Sequence, residues 1–342
     1  MSGKILVTGG AGFIGSHTVV ELTNSGYEPV ILDNFRNSEK SVLDGLKNIL
    51  KEEVKCYDAN CCDAAAVEKI FHQEQFNGVI HFAAFKSVNE SLKMSVQYYY
   101  NNIVSLLVLI EAMRKFEVQQ FVFSSSCTVY GQPEKLPVTE SSPFKEAFSP
   151  YGSTKQISEK ILLDAFKAKF PLKTLSLRYF NPIGAHPSGE IGELPIGHPN
   201  NLVPYITQSA AGVRGPLTVF GNDYSTPDGS CIRDYIHVVD LAQAHVKSLD
   251  YLARIKDASD FEAFNVGTGN GTSVLELIHG FEKVNGLKLN YEIGPRREGD
   301  AESIYANCDK AKEQMGWVST LTLEDALRDA WNWQQRLSKT KK

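Results

Sequence analysis

Tyr151 and Lys155 stand four residues apart, so on a helix they share one face. Such a pair could move a proton. A phenol ionises near pH ~10, and an ammonium beside it favours the phenolate, which brings the tyrosine toward use as a base near neutrality. The spacing alone is weak, since a chain with 14 tyrosines meets Tyr-x-x-x-Lys about once by chance. Its setting says more. Ser124-Ser125-Ser126 closes a strand-like run upstream and sets hydroxyls at its carboxyl end.

A second group of residues reads as a dinucleotide cradle. Gly9, Gly12 and Gly15 form a Gly-x-x-Gly-x-x-Gly loop directly after the first apolar run and at the start of a helical pattern. Glycines there permit a tight turn and close approach to a pyrophosphate, and the helix start offers free N–H groups to it. Asp33 ends the next strand, where a carboxylate accepts from ribose hydroxyls and repels a 2′-phosphate. This favours NAD over NADP, with Arg36 as the nearby residue that weakens the preference. The strand ends at Asp58 and at Phe82-Ala83-Ala84 should lie beside the adenine and the cofactor's centre.

The elements that must position these groups alternate. Strand patterns cover Ile5–Val7, Pro29–Asp33, Val54–Tyr57, Val79–Phe82, Gln120–Phe123 and Thr174–Leu177. Helical patterns run to about Ser25 and over Ser38–Leu50, Asp63–Glu74, Ser95–Lys115 and Tyr151–Phe170. Continuous apolar strands between amphipathic helices imply a parallel sheet covered on both faces, a doubly wound α/β (Rossmann) arrangement. Near Asn181 the character changes to Gly, Pro, Asn and His with weak period, and short elements such as Pro216–Phe220 and Phe264–Val266 follow. The expectation is a dinucleotide-binding domain over 1–180 and a smaller mixed α/β substrate domain over 181–342, with returns to the first domain allowed.

Composition bounds the class. A chain of 342 residues with 42% hydrophobic and 22% charged residues is an ordinary globular protein of about two domains. Its net charge of -5 argues against a general nucleic-acid binder but leaves room for an anionic small ligand held by local arginines. No apolar run nears the ~18 residues of a membrane helix, and the N-terminal stretch carries no secretory or transit pattern. Six scattered cysteines without Cys-x-x-Cys fit reduced thiols in a cytoplasmic protein, and no metal-ligand spacing is present among the histidines.

With the glycine loop, the strand-end serines and Tyr151/Lys155 in place, the chain resembles the extended short-chain dehydrogenase/reductase family. The stretches His81–Val88, Ser124–Gly131, Arg178–Pro187 and Arg233–Val238 resemble its UDP-galactose (UDP-glucose) 4-epimerases, over nearly the whole chain. The resemblance implies bound NAD and inversion of the sugar C4 through a 4-keto sugar, with Tyr151 as base, Lys155 on the nicotinamide ribose and Ser126 on O4. It places Gly9, Gly12, Phe13, Ile14, Gly15, Asp33, Asn34, Asp58, Phe82, Ala83, Ala84, Lys86, Asn102, Tyr151, Lys155 and Tyr179 on the cofactor. Lys86, Ser126 and Tyr151 would also face substrate. Asn181 and Asn201 would meet the diphosphate and sugar, Leu202 and Phe220 the uracil, Arg233 and Arg297 the diphosphate, and Asp300 the uridine ribose. Ile304 falls where relatives line the sugar 2-position; an aromatic there goes with excluding N-acetyl sugars and a small residue with admitting them, so isoleucine implies partial acceptance. The family also implies a homodimer through Ser95–Lys115 and Gly152–Phe170.

Two alternatives stand beside this reading. Related 4,6-dehydratases carry Asp-Glu where this chain has Cys127-Thr128, so the elimination lacks its extra acid–base pair. A non-catalytic NAD-sensing protein of the same fold would be expected to lose Tyr151 or Lys155.

Overall fold

The computed structural model describes residues 3–257, 260–297 and 301–340. Ile5, Leu6 and Val7 are fully buried, a run without polar alternation because both its faces are covered. They form β1 (Lys4–Thr8), followed by α1 (Phe13–Asn24), β2 (Glu28–Asp33), α2 (Ser41–Leu50), β3 (Cys56–Asp58), α3 (Ala64–Gln73) and β4 (Gly78–His81). Next come α4 (Val88–Lys93), α5 (Ser95–Lys115), β5 (Gln120–Ser124), α6 (Pro150–Lys167) and β6 (Lys173–Tyr179). The rest of the chain holds β7 (Asn181–Ile183), α7 (Leu202–Ala210), β8 (Leu217–Phe220), β9 (Ile232–Arg233), β10 (Tyr235–His237), α8 (Val238–Arg254) and β11 (Asp260–Val266). It closes with β12 (Thr272–Ser273), α9 (Val274–Asn285), β13 (Tyr291–Gly294), β14 (Ser303–Ile304) and α10 (Leu323–Thr340).

Among the described residues the central sheet has seven parallel strands in the order β11-β6-β5-β4-β1-β2-β3. The strand order reverses between β1 and β4, and the crevice at that switch point is where doubly wound sheets bind ligands. One face is packed by α1, α2 and α8 through Val19, Leu46 and Leu249. The other is packed by α3, α5 and α6 through Phe71, Leu109 and Leu162. A separate core, with Ile206, Val219, Phe281 and Leu327, joins α7, β8, α9 and α10.

Three details differ from the sequence reading. Phe264–Val266 is not a short element of the second half but the end of β11, which pairs with β6 from Asp260↔Lys173 to Val266↔Tyr179. Phe264, Asn265 and Val266 are fully buried, because this end of the edge strand β11 is covered on both faces. The helix read from Ser38 begins at Ser41, since the Ser38 hydroxyl donates instead to Asp33 at 3.1 Å and keeps the loop extended toward β2. The third strand starts at Cys56 rather than Val54, where its pairing with Ile31 begins.

Candidate active site

The dinucleotide loop lies across the carboxyl ends of β1 and β4. Gly9 has a left-handed φ of 70°, which turns the chain out of β1. Gly15 is inside α1, and a Cβ there would stand 2.3 Å from the Gly9 carbonyl oxygen and 2.8 Å from Gly10 Cα. The loop is thus folded closely on itself, with Gly9 N donating to Leu32 O at 2.8 Å and Gly12 N to Gly9 O at 3.0 Å, and this sets the start of α1, at Phe13 and Ile14, on the cavity wall. Asp33 ties the loop to the segment after β2: its carboxylate accepts from Ala11 N at 3.0 Å, Phe35 N at 2.8 Å and Ser38 Oγ at 3.1 Å. Burial pushes its pKa up against these bonds.

A cavity of about 580 Å³ opens above the loop. Of the residues assigned to the cofactor, Gly9, Gly12, Phe13, Ile14, Gly15, Asp33, Asn34, Phe82, Ala83, Ala84, Lys86, Tyr151, Lys155 and Tyr179 line it. Two do not. Asp58 sits outside the wall, beside Asp33 in register and ion-paired with Lys40 at 2.7 Å. Asn102 is buried behind the wall; its Oδ1 accepts from Phe85 N at 2.8 Å, and its Nδ2 donates to Phe85 O and to Thr154 Oγ1 at 3.0 Å. It fixes the β4 loop to α6 rather than facing the cavity. Arg36 also lines the cavity, with its guanidinium 4.1 Å above the Phe85 ring.

The proton-moving pair is set by a helix start. Ser149 caps α6, accepting from Gly152 N at 3.2 Å, and Pro150 occupies the first turn, so Tyr151 is held at the helix mouth. Lys155, one turn on, donates to the Ser124 carbonyl at 2.6 Å; its Nζ lies 5.9 Å from the Tyr151 ring centre. The Ser124 hydroxyl meets Tyr179 Oη at 2.7 Å. Ser126 begins the single turn Cys127–Tyr130, accepting from Thr128 N at 3.2 Å, and acts on the Tyr151 phenol.

The expected lowering of the Tyr151 pKa by Lys155 is not found. Burial raises the phenol above its ordinary range, Tyr179 adds to this, and Ser126 is the influence that opposes. Lys155 directs its ammonium to a carbonyl instead, and burial pulls it down to about 8 against the charge of Glu159. His81, bonded through Nδ1 to Thr8 Oγ1 at 2.7 Å, is pulled down to about 3 by burial and by Lys155 and is neutral.

Of the residues assigned to the substrate, Lys86, Tyr151 and Asn201 line the cavity, whereas Ser126, Asn181, Leu202, Phe220, Arg233, Arg297 and Ile304 are not part of its wall. Lys86 and Asn201 approach through Glu193, at 3.4 Å and 2.6 Å, on the cavity mouth. Leu202 follows Asn201 as the first residue of α7. Arg297 lies 5.7 Å over the Phe220 ring. Arg233 and Ile304 are paired across β9 and β14, and the charge of Arg233 is felt by Cys127, next to Ser126. Ile304 is buried against a cluster containing Phe180 and Val129. Asn181 donates its N–H to the Asp234 carbonyl at 2.9 Å. Asp300 lies outside the described residues. Asp234, missed by the sequence reading, ties the strand that follows Arg233 to the segments at 268–269 and 306: it is fully buried and accepts from Thr268 N at 2.8 Å, Gly269 N at 3.0 Å and Ala306 N at 3.2 Å. Glu193, Glu159 and Arg178 were likewise missed; the only signal was an acid eight residues beyond Tyr151 on the same helix face. Among the described residues no His/Cys/Asp/Glu group is arranged to hold a metal.

The self-folded glycine loop, the helix start and the buried acid on β2 fit a dinucleotide's pyrophosphate and ribose. The family described as GDP-mannose 4,6 dehydratase matches residues 6–330. The UDP-glucose 4-epimerase of Bacillus subtilis (strain 168) is 49% identical over 330 residues, 96% of each chain. The structure of UDP-glucose 4-epimerase from Bifidobacterium longum in complex with NAD+ and UDP superposes with a TM-score of 0.93 at 45% identity, covering 97% of this chain and 98% of that one. The UDP-glucose 4-epimerase from Stenotrophomonas maltophila, with bound NAD and formylated UDP-arabinopyranose, gives 0.95 at 43% identity over 99% of both chains.

Proposed function

Since the chain belongs to the UDP-glucose 4-epimerase family, we infer that Tyr151, Ser126 and Lys155 are the groups with which it interconverts UDP-galactose and UDP-glucose. The observation that carries this assignment is the convergence of Tyr151, Lys155 and Ser124 on the cavity above the self-folded glycine loop, with Ser126 two residues beyond Ser124. NAD, when bound, would supply the acceptor and then the donor of the C4 hydride and, in its oxidised form, a positive charge on the nicotinamide ring. The Gly9–Gly15 loop, Asp33 and Lys155 are the residues that would hold it.

Tyr151 would take the proton of the sugar 4-OH while Ser126 holds O4, and would return it to O4 once the 4-keto sugar has turned over in the pocket, so that the C4 stereocentre is inverted. The sugar must be loose enough to turn, so binding strength belongs at the nucleotide end, where Arg233 and Arg297 suit a diphosphate and Leu202 and Phe220 a base. A 4,6-elimination would need a further acid–base pair, and Cys127-Thr128 holds no carboxylate. Burial pushes the Cys127 thiol up to about 12, which removes it as an acid or base near neutrality. The test is incubation of the purified protein with UDP-galactose, without added NAD, followed by proton NMR of the anomeric signals. Growth of UDP-glucose to a stable mixture is expected. No change, even with NAD added, would overturn the assignment.

We propose partial use of UDP-N-acetylgalactosamine, because residue 304 falls where the resemblance places the sugar 2-position and isoleucine is smaller than the aromatic that goes with exclusion. Turnover of that substrate is expected, and Ile304→Tyr should lower it at least about tenfold relative to UDP-galactose. Absence of any turnover by the unaltered protein would sink the idea.

We further propose a homodimer. Val96 and Tyr100 on α5 are 75% and 64% exposed, and Leu107 and Ile157 extend this apolar surface over α5 and α6. Sedimentation should give twice the chain mass, and Leu107→Glu should give a monomer. A monomeric unaltered protein would refute the assignment. A cytoplasmic location is supported by six unpaired cysteines. Among the described residues no helix is long and apolar enough to cross a membrane.

A further inference from the structure

Three successive serines at the end of β5 each meet a different residue on one face of α6. The Ser126 hydroxyl acts on Tyr151, and the Ser124 carbonyl accepts from Lys155 at 2.6 Å. The Ser125 hydroxyl donates to Glu159 Oε1 at 2.5 Å. Tyr151, Lys155 and Glu159 are spaced by four, so they stack along one side of the helix. Glu159 is 3% exposed, and Arg178, at 6%, grips it with Nε at 3.0 Å and Nη2 at 2.6 Å. Arg178 is fixed in turn by the Tyr130 hydroxyl at 3.1 Å and the Glu140 carbonyl at 3.0 Å.

A buried acid on a helix that already carries Tyr151 and Lys155 is costly unless its partners satisfy it. Resting on the reading of Tyr151, Lys155 and Ser126 as the reacting groups, we propose that Glu159 is a positioning residue of the reaction. Its carboxylate, clamped by Arg178, locks α6 onto the serine triplet and presents a negative charge to the Lys155 ammonium. The other groups facing Lys155 do not replace that charge. His81 on β4 is neutral. Burial pushes Tyr179 on β6 up to about 12, and it raises Tyr151 on α6 as well, so both are protonated. Arg178 on β6 is cationic and is held on Glu159. Among these groups Glu159 alone keeps Lys155 charged against burial.

The test uses the purified full chain and reads Lys155 directly. Acetylation of Lys155 by acetic anhydride is followed against pH by peptide mass spectrometry, since only the neutral amine reacts. In Glu159→Gln the midpoint should fall by about one pH unit. The alkaline limb of kcat should move with it, while KM for UDP-galactose stays within about twofold. Glu159→Asp, which keeps the charge, should restore the midpoint. Should Glu159→Gln fail to fold, Glu159→Gln with Arg178→Met removes both charges without stranding either, and a smaller fall in the same direction is expected. A folded Glu159→Gln or double variant with an unchanged midpoint would overturn the proposal, as would an aspartate variant that shifts as far as the glutamine one. Because acetylation needs no sugar, an unaltered protein that titrates as expected yet leaves UDP-galactose unchanged would refute the epimerase assignment and not this one.

Discussion

Tyr151→Phe is expected to lower kcat by about 10²–10⁴-fold while the protein stays folded and retains its dinucleotide. The substitution removes one hydroxyl from a side chain packed with Phe85 and Tyr98, so the ring contacts survive. The lost group is the one proposed to exchange a proton with the sugar. The hydroxyl is buried and its pKa is raised, so the unliganded protein holds it as a phenol. Positive charge must favour the phenolate during turnover, from the bound oxidised nicotinamide and from Lys155. Burial sets Lys155 to about 8 in place of its usual 10.5. Its charge is present below that value and is lost as pH rises through it, so kcat should decline on the alkaline side of about pH 8. The measurement is kcat against pH, with bound NAD quantified in the same preparations. A phenylalanine variant within about tenfold of the unaltered protein would exclude Tyr151 as the base.

Gly15→Ala should leave the protein without its dinucleotide. The added methyl would meet Gly9 O at 2.3 Å, Gly10 Cα at 2.8 Å and Gly9 C at 3.0 Å, all backbone atoms of the cradle itself. No side chain can swing away to accept it, so the loop must open. Overpacking of this kind costs about 1–3 kcal/mol, or about 5- to 150-fold in affinity if the strain falls on the bound geometry. The expected result is NAD-free protein on purification, with turnover recovered only at high added NAD. Gly26→Ala is the control. That position has a left-handed φ of 82° and open space around it, so backbone strain appears there without damage to the cradle. Equal loss of NAD in both variants would mean that general destabilisation, not the cradle, is responsible.

The parts of this site that could be read from the chain are those whose chemistry is local. The glycine loop, Asp33 at a strand end and Tyr151 four residues before Lys155 are each set by neighbours in sequence, and the helix and strand periods around them are strong. Glu159 was invisible because its meaning comes from Ser125, 34 residues away, and Arg178, 19 residues away. The Tyr151 pKa was misjudged for a related reason: the spacing puts an ammonium nearby, but the Ser124 carbonyl that engages it comes from another strand. Arg233 and Ile304 sit in two-residue strands paired across 71 positions, too short to leave any period, and only the family resemblance singled them out.

The outermost strand of the sheet has a consequence for synthesis. β11 covers the free edge of β6, and α8 packs on α1, yet both are encoded after β7, α7 and β8. A ribosome that has finished β6 has made every residue of the glycine loop and of the Tyr151–Lys155 pair. The emerging chain still carries an unpaired strand edge and an uncovered apolar face. The nucleotide-binding half must therefore wait, in a sticky and incomplete state, for about 80 more residues to be translated. Chaperone demand should be concentrated in that interval, and gene fragments ending near Ile183 are poor candidates for a stable dinucleotide-binding module.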